Sequence, residues 1–206
     1  MFALVENNQF VKIVNSNKGI ELNGVQYPKT IFTLWSNDER EAIGIYEVTV
    51  DSSNKRDEEY YINTDITYTF ANGSVIGSYG TATPKPLDDV LFTQADADAD
   101  EIPSDKAVGD VKQYGLKGLE IAKIKAQAGG LLAPTDWQVI KEVETSDYVV
   151  PTAITEYRTQ VRAKSNEMES QINACGTVED LKTLFTWTED EQGNITRPLV
   201  SFPEVI

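Results

Sequence analysis

The hydrophobic period changes once along this chain, and that change limits the folds open to it. Up to about residue 85, apolar residues come in short alternating runs separated by turn dipeptides; from Ser104 onward they recur every three or four positions. A period of two belongs to half-buried strands and a period of about 3.6 to amphipathic helices. The pattern therefore predicts an α+β protein: a small β-rich N-terminal module over 1–85 and a helical-hairpin C-terminal module over 105–187.

The strands can be placed one by one. Phe2, Leu4 and Val5, then Phe10, Val11, Ile13 and Val14, flank Glu6-Asn7-Asn8-Gln9 as a hairpin with a four-residue loop. Ile20 and Leu22 face Val25 and Tyr27 across Asn23-Gly24, a dipeptide suited to the two positive φ angles of a type I′ turn. Ile31 to Trp35 is a further apolar run. Asp38 to Ala42 reads as one helical turn capped by Asn37 and stopped by Gly44. Ile45 to Val50 alternates as a half-buried strand, and Tyr60 to Phe70 with Ser74 to Tyr79 forms a last hairpin around Ala71-Asn72-Gly73.

Residues 86–104 hold Asp88, Asp89, Asp96, Asp98, Asp100 and Glu101 with no basic residue, between prolines at 84, 86 and 103. This composition predicts a solvated acidic linker. Beyond it a helix is expected to run through Val108, Val111, Ile121 and Ile124 to Gly129-Gly130, with Gly115 and Gly118 marking a break or a close approach. Thr135 to Gln138 has capping-box spacing for a short helix ending near Val143. Pro151 then opens the clearest helix, in which Ile154, Tyr157, Val161, Ser165, Met168, Ile172 and Cys175 share one face and Gly176 serves as a left-handed cap. Thr177 opens a last turn or two with Leu181, Leu184 and Phe185, and residues 188–206 read as an extended tail.

Several chemistries fall away at once. The chain of 206 residues has no histidine, so no Ser-His-Asp or Cys-His pair and no imidazole ligand. Its single cysteine, Cys175, has no partner for an internal disulfide. With 18 basic against 33 acidic side chains the formal charge is −15, which repels a phosphate backbone and argues against nucleic acid as a partner. No segment has the length and apolarity of a membrane span, and the opening residues lack a signal-peptide pattern. No cofactor is implied.

The remaining motifs have plain structural readings. Asp96-Ala97-Asp98-Ala99-Asp100 begins like a calcium loop but has Glu101 and Ala107 where an EF-hand needs glycine and a bidentate glutamate. Asp57-Glu58-Glu59 and Glu189-Asp190-Glu191 supply carboxylates but no defined glycosidase pair. Asn72 and Asn194 head glycosylation patterns, and Asn72 is already accounted for by its turn. Gly115-Leu116-Lys117-Gly118 lacks the ending of a phosphate loop. Trp35, Tyr60, Tyr61, Tyr68 and Tyr79 read as sheet packing, with a sugar- or peptide-binding face as the alternative.

One stretch carries a more specific signal. Leu131-Leu132-Ala133-Pro134-Thr135-Asp136-Trp137, then Val150-Pro151-Thr152, Glu156-Tyr157-Arg158, Val161-Arg162 and Ala174 to Leu181, resemble a module near the C-termini of bacteriophage tail-fibre assembly chaperones and marine-phage tail proteins. The opening Met1 to Asn7 and the Ala42 to Val48 stretch resemble the N-terminal β module of the same family. The likeness covers about 130–187 and, more weakly, about 1–50; the chain departs from it by continuing through Trp187 to Ile206.

The resemblance implies a non-enzymatic phage tail component, made in the host bacterial cytoplasm and located in the virion, whose partners are other tail proteins such as a tail fibre. A homo-oligomer is compatible with it. The alternatives are a transient assembly chaperone absent from the virion, or a host-glycan-binding module. In this reading Thr135, Asp136 and Trp137 form a helix corner of cap, N-terminal charge and buried anchor. Trp137 is expected against Tyr157, and Asp136 paired with Arg158.

Overall fold

The computed structural model describes residues 1–205 and is α+β, as the change of period requires. It divides into two compact units, Met1–Thr83 and Pro84–Ile206.

The first unit contains β1 (Phe2–Glu6), β2 (Gln9–Val14), β3 (Ile20–Leu22), β4 (Val25–Tyr27), α1 (Ile31–Leu34), α2 (Asn37–Glu41), β5 (Ile45–Asp51), β6 (Tyr61–Ile62), β7 (Ile66–Ala71) and β8 (Ser74–Tyr79). Its main sheet has the order β2-β1-β5-β8-β7, antiparallel except for the β5–β8 pair. The sheet curls until its outer strands meet, with Phe10 of β2 stacked on Tyr68 of β7 at 5.1 Å between ring centroids. One apolar cluster (Leu4, Val14, Leu22, Ile31, Phe32, Ile45) fills one side, and another (Ala3, Val5, Val48, Val75) fills the other.

The turns follow local chemistry with two corrections. Asn23-Gly24 and Asn72-Gly73 take the positive φ pairs expected of them. The first hairpin is tighter than a four-residue loop. Glu6 pairs with Gln9, and Asn7 and Asn8 alone make the turn, both at positive φ. Asparagine tolerates that region because its short side chain bonds locally. The cap of α2 is Ser36, whose hydroxyl accepts from the Glu39 N–H while Glu39 takes the Ser36 N–H at 2.8 Å. Asn37 instead accepts from the buried Arg40. The Ile31 to Trp35 run is mostly helical rather than extended. Three of the five aromatics weighed as a binding face pack inward or on other rings: Tyr60 is buried, Tyr68 stacks on Phe10, and Trp35 meets Tyr27 edge-on at 5.9 Å.

The second unit contains β10 (Val90–Leu91), α3 (Gln94–Asp98), β11 (Val111–Gln113), α4 (Leu116–Glu144), α5 (Thr152–Ala174), α6 (Val178–Phe185), β12 (Thr188–Glu189) and β13 (Ile195–Thr196); β9 (Thr83–Pro84) spans the boundary. The expected linker at 86–104 is folded structure. β10 pairs with β11, Phe92 is buried, and α3 carries a Thr93–Asp96 capping box. Three of its six acids bind later parts of the unit: Asp96 pairs with Lys112, Asp88 pairs with Lys117 at 2.8 Å, and Asp89 accepts from the Gly115 N–H at 2.7 Å.

That last contact explains the segment. The first N–H groups of any helix lack internal partners and carry positive potential. Here Leu116 and Lys117 donate to the carbonyls of Pro86 and Leu87 at 2.9 and 3.0 Å. Side chains at Gly115 and Gly118 would overlap the Asp88 carbonyl and the Asp89 carboxylate, so these glycines allow the close approach. The supposed phosphate cradle is filled by the chain's own acid.

The helical elements also differ from expectation. Gly129-Gly130 does not end a helix; α4 runs 29 residues, straight through Pro134. A proline inside a helix costs about 3 kcal/mol and a glycine about 1. Burial of Leu116, Ile124, Ala128 and Thr135 along the same face offsets these penalties. Pro151 is the N-cap of α5 rather than its first residue, and Gly176 is not left-handed. The Gly176 and Thr177 N–H groups both donate to Asp180 at 3.1 and 2.9 Å, so the backbone turns directly into the capping box of α6. The tail beyond residue 187 forms the small β12–β13 hairpin and then packs down, with Leu199 at 1% exposure and bonded to the Leu184 carbonyl at 3.0 Å. No helix among the described residues is long and apolar enough to cross a membrane.

Candidate interaction surface at the α4–α5 junction

The α5 seam predicted from spacing is real and intrachain. Tyr157, Val161, Ser165, Met168 and Ile172 are buried, and Tyr157 and Val161 cluster with Ala128 of α4. The helices run antiparallel, since Lys125 pairs with Glu169 near one end and Asp136 with Arg158 near the other.

The sequence-predicted residues divide into two groups. Thr135, Asp136 and Arg158 come together. The Arg158 guanidinium, 8% exposed, donates to the Leu132 carbonyl (2.9 Å), the Thr135 hydroxyl (2.6 Å) and the Asp136 carboxylate (2.7 Å). The Thr135 hydroxyl donates in turn to Leu132 at 2.9 Å. Thr135 is therefore a mid-helix relay and not an N-cap, because α4 does not restart there. A guanidinium suits this place because its planar fork serves three acceptors at once while staying charged. The expected Asp136–Arg158 pair is present.

Trp137 and Tyr157 do not meet. Trp137 lies two residues past Thr135, about 200° around the helix, so it points away from α5. It is 56% exposed rather than a buried anchor. Tyr157 is 4% exposed inside the α4–α5 seam. Trp137 instead neighbours Tyr148 at 6.4 Å, and the Lys141 ammonium sits 4.4 Å from the Tyr148 ring and 6.0 Å from the Trp137 ring.

The connection after α4 is tied back onto it. The Tyr148 hydroxyl donates to Gln138 at 3.0 Å, and the Val150 N–H donates to Glu142 at 2.9 Å. These anchors present an apolar surface: Trp137, Ile140 at 55% exposure, Val143 at 84% and Val149 at 75%. Sequence reasoning missed Ile140, Val143, Tyr148 and Lys141. The signal was available, since Trp137, Ile140 and Val143 recur every three residues on a stripe separate from the one that meets α5.

Electrostatics elsewhere concern capping. Thr93 and Lys112 hold the Asp96 carboxyl well below its ordinary range, chiefly through the Lys112 hydrogen bond. The Thr177 side chain lowers the Asp180 carboxyl as well. Burial pushes the Cys175 thiol up, away from the thiolate form.

The chain matches no family model, no curated protein and no solved structure.

Proposed function

We propose that this protein is a non-enzymatic component of a bacteriophage tail, made in the host bacterial cytoplasm and held in the virion by contacts with other tail proteins, a tail fibre or tail tip first among them. The reading starts from the resemblance of the 131–181 segment to phage tail proteins and their assembly chaperones. One geometric observation supports it. The residues that carry the resemblance do architectural work: Thr135, Asp136 and Arg158 lock two long helices, while Trp137, Ile140 and Val143 on α4 and Val149 in the connection after it lie at the surface. Exposed apolar and aromatic side chains along one helix stripe and the connection after it are the kind of surface that protein partners cover.

Peptide mass spectrometry of purified particles of the phage encoding the chain tests this. A fixed low copy number relative to the major capsid protein supports a tail component. Presence in lysate and absence from particles assigns the chain to the transient chaperones instead. Saturable binding of host surface glycans, read by tryptophan fluorescence, would move it to the glycan-binding class.

A further inference from the structure

Among the 13 glycines, Gly129 and Gly130 stand apart. Both lie in helical backbone, neither has a positive φ, and a Cβ at either would meet nothing within 4 Å. Two adjacent glycines in mid-helix weaken α4, and no packing within the chain requires them. What they provide is bare helix backbone facing open space.

That bare stretch borders a cleft of about 400 Å³ lined by Gln127, Gly130, Leu131, Arg197 and Phe202. Pro134 has no N–H to give the Gly130 carbonyl, which is its helical acceptor four residues back. The Arg197 guanidinium lies over the Trp187 ring at 4.8 Å, and its buried Nε has no hydrogen-bond partner. Among the described residues none that lines it is acidic, in a chain with 33 acidic side chains. Leu131 and Phe202 also pack on the cluster of Ala128, Tyr157 and Val161, where the Tyr157 hydroxyl is buried without a partner. The cleft thus combines a cation with no carboxylate among the described residues, a carbonyl denied its helical donor, an apolar wall and, at Gly130, helix backbone without a side chain.

We propose that this cleft docks an extended acidic segment of a partner polypeptide. Its main chain lies along Gly129 and Gly130, with one N–H donated to the Gly130 carbonyl. An apolar side chain packs on Leu131 and Phe202, and an aspartate or glutamate pairs with Arg197. Charge complementarity selects the acid, and two consecutive bare residues select a main chain over a compact small molecule. The inference stands independently of the tail reading.

The test uses the full chain and a short fluorescein-labelled peptide of alternating leucine and glutamate, followed by fluorescence polarisation. The overall charge of −15 disfavours this probe, so saturable binding that depends on Arg197 reports the local site. Replacing glutamate by glutamine in the peptide, or Arg197→Gln in the protein, is expected to weaken binding about tenfold or more, the size of a lost charge-assisted hydrogen bond. Arg197→Lys keeps the charge without the fork and is expected to fall between. Gly130→Ala is expected to raise Tm and still weaken the peptide about tenfold.

No saturable binding, or equal binding by all variants, overturns the proposal. A lower Tm for Gly130→Ala overturns it too, because the glycine would then serve the Pro134 distortion. Displacement of the peptide by 4-phenylbutyrate at similar affinity would mean that a small carboxylate is the ligand and not a polypeptide.

Discussion

The two ends of α4 are treated in opposite ways. At the N-terminal end the chain covers its own helix: the Pro86 and Leu87 carbonyls and the Asp89 carboxylate take the free N–H groups, and Gly115 and Gly118 let them approach. At the far end Trp137, Ile140 and Val143 remain at the surface, although the Arg158 junction holds the backbone beneath them firmly. The difference shows where this protein closes on itself and where it stays open. A helix terminus left unsatisfied costs stability in every state of the protein, so the chain supplies its own cap. An exposed apolar stripe costs little in water and gains value only when something covers it.

The largest expected effect lies in the junction that supports the open end. Arg158→Ala takes one donor each from the Leu132 carbonyl, the Thr135 hydroxyl and the Asp136 carboxylate and opens the helix seam, for a loss of about 3 kcal/mol by chemical denaturation. A loss under about 1 kcal/mol would mean that the exposed end does not depend on this clamp. Gly115→Val pushes a side chain into the Asp88 carbonyl and should cost about 2 kcal/mol. Asp89→Asn keeps the shape of the cap but removes its charge, and a drop of about 0.5–1 kcal/mol that shrinks in high salt would fit its place at a helix N-terminus. Val143→Ser should leave stability within about 0.5 kcal/mol, because that side chain is solvated. On the proposed tail reading, unchanged incorporation of this variant into particles would mean that the open end is not the contact surface.

A smaller contrast appears with pH. The Asp96 and Asp180 carboxyls, in the capping boxes of α3 and α6, sit below their ordinary value of 3.8 when folded. A depressed folded pKa adds stability that is complete above the unfolded value and disappears as pH falls through the folded one. Denaturation midpoints should therefore be flat at neutral pH and fall below about pH 4. Replacing Asp180 with Asn should flatten that acid limb relative to the parent.

Much of the fold was legible because local chemistry and long-range packing agree in those places. Asn23-Gly24 and Asn72-Gly73 make the turns their backbone freedom suits, and the α5 stripe meets a partner helix. The Asp136–Arg158 pair was legible for a different reason, since a helical hairpin brings those positions together. Three misreadings share one cause. Gly129-Gly130, the Thr135 to Gln138 spacing and the acids at 86–104 each have a local preference that tertiary contacts overrule. The acidic run looked solvated because its counterparts, the N–H groups of α4 and Lys112 and Lys117, come later in the chain. Trp137 is a buried anchor only if a helix corner lies at Thr135, and α4 runs through that position unbroken. Only the angular position of Thr135 against α5 shows that its neighbour two residues on faces water.

Sequence alone determined the α+β class, the chirality of the tight turns, the seam of α5 and the exclusion of histidine chemistry. These depend on residue type and spacing, which act over a few neighbours. The tertiary structure decided the length of α4, the role of the acidic segment as its cap, and which of Trp137 and Tyr157 is buried. Each of those is settled by a free energy of packing or hydrogen bonding between residues tens of positions apart, and that sum outweighs a local preference of about 1–3 kcal/mol.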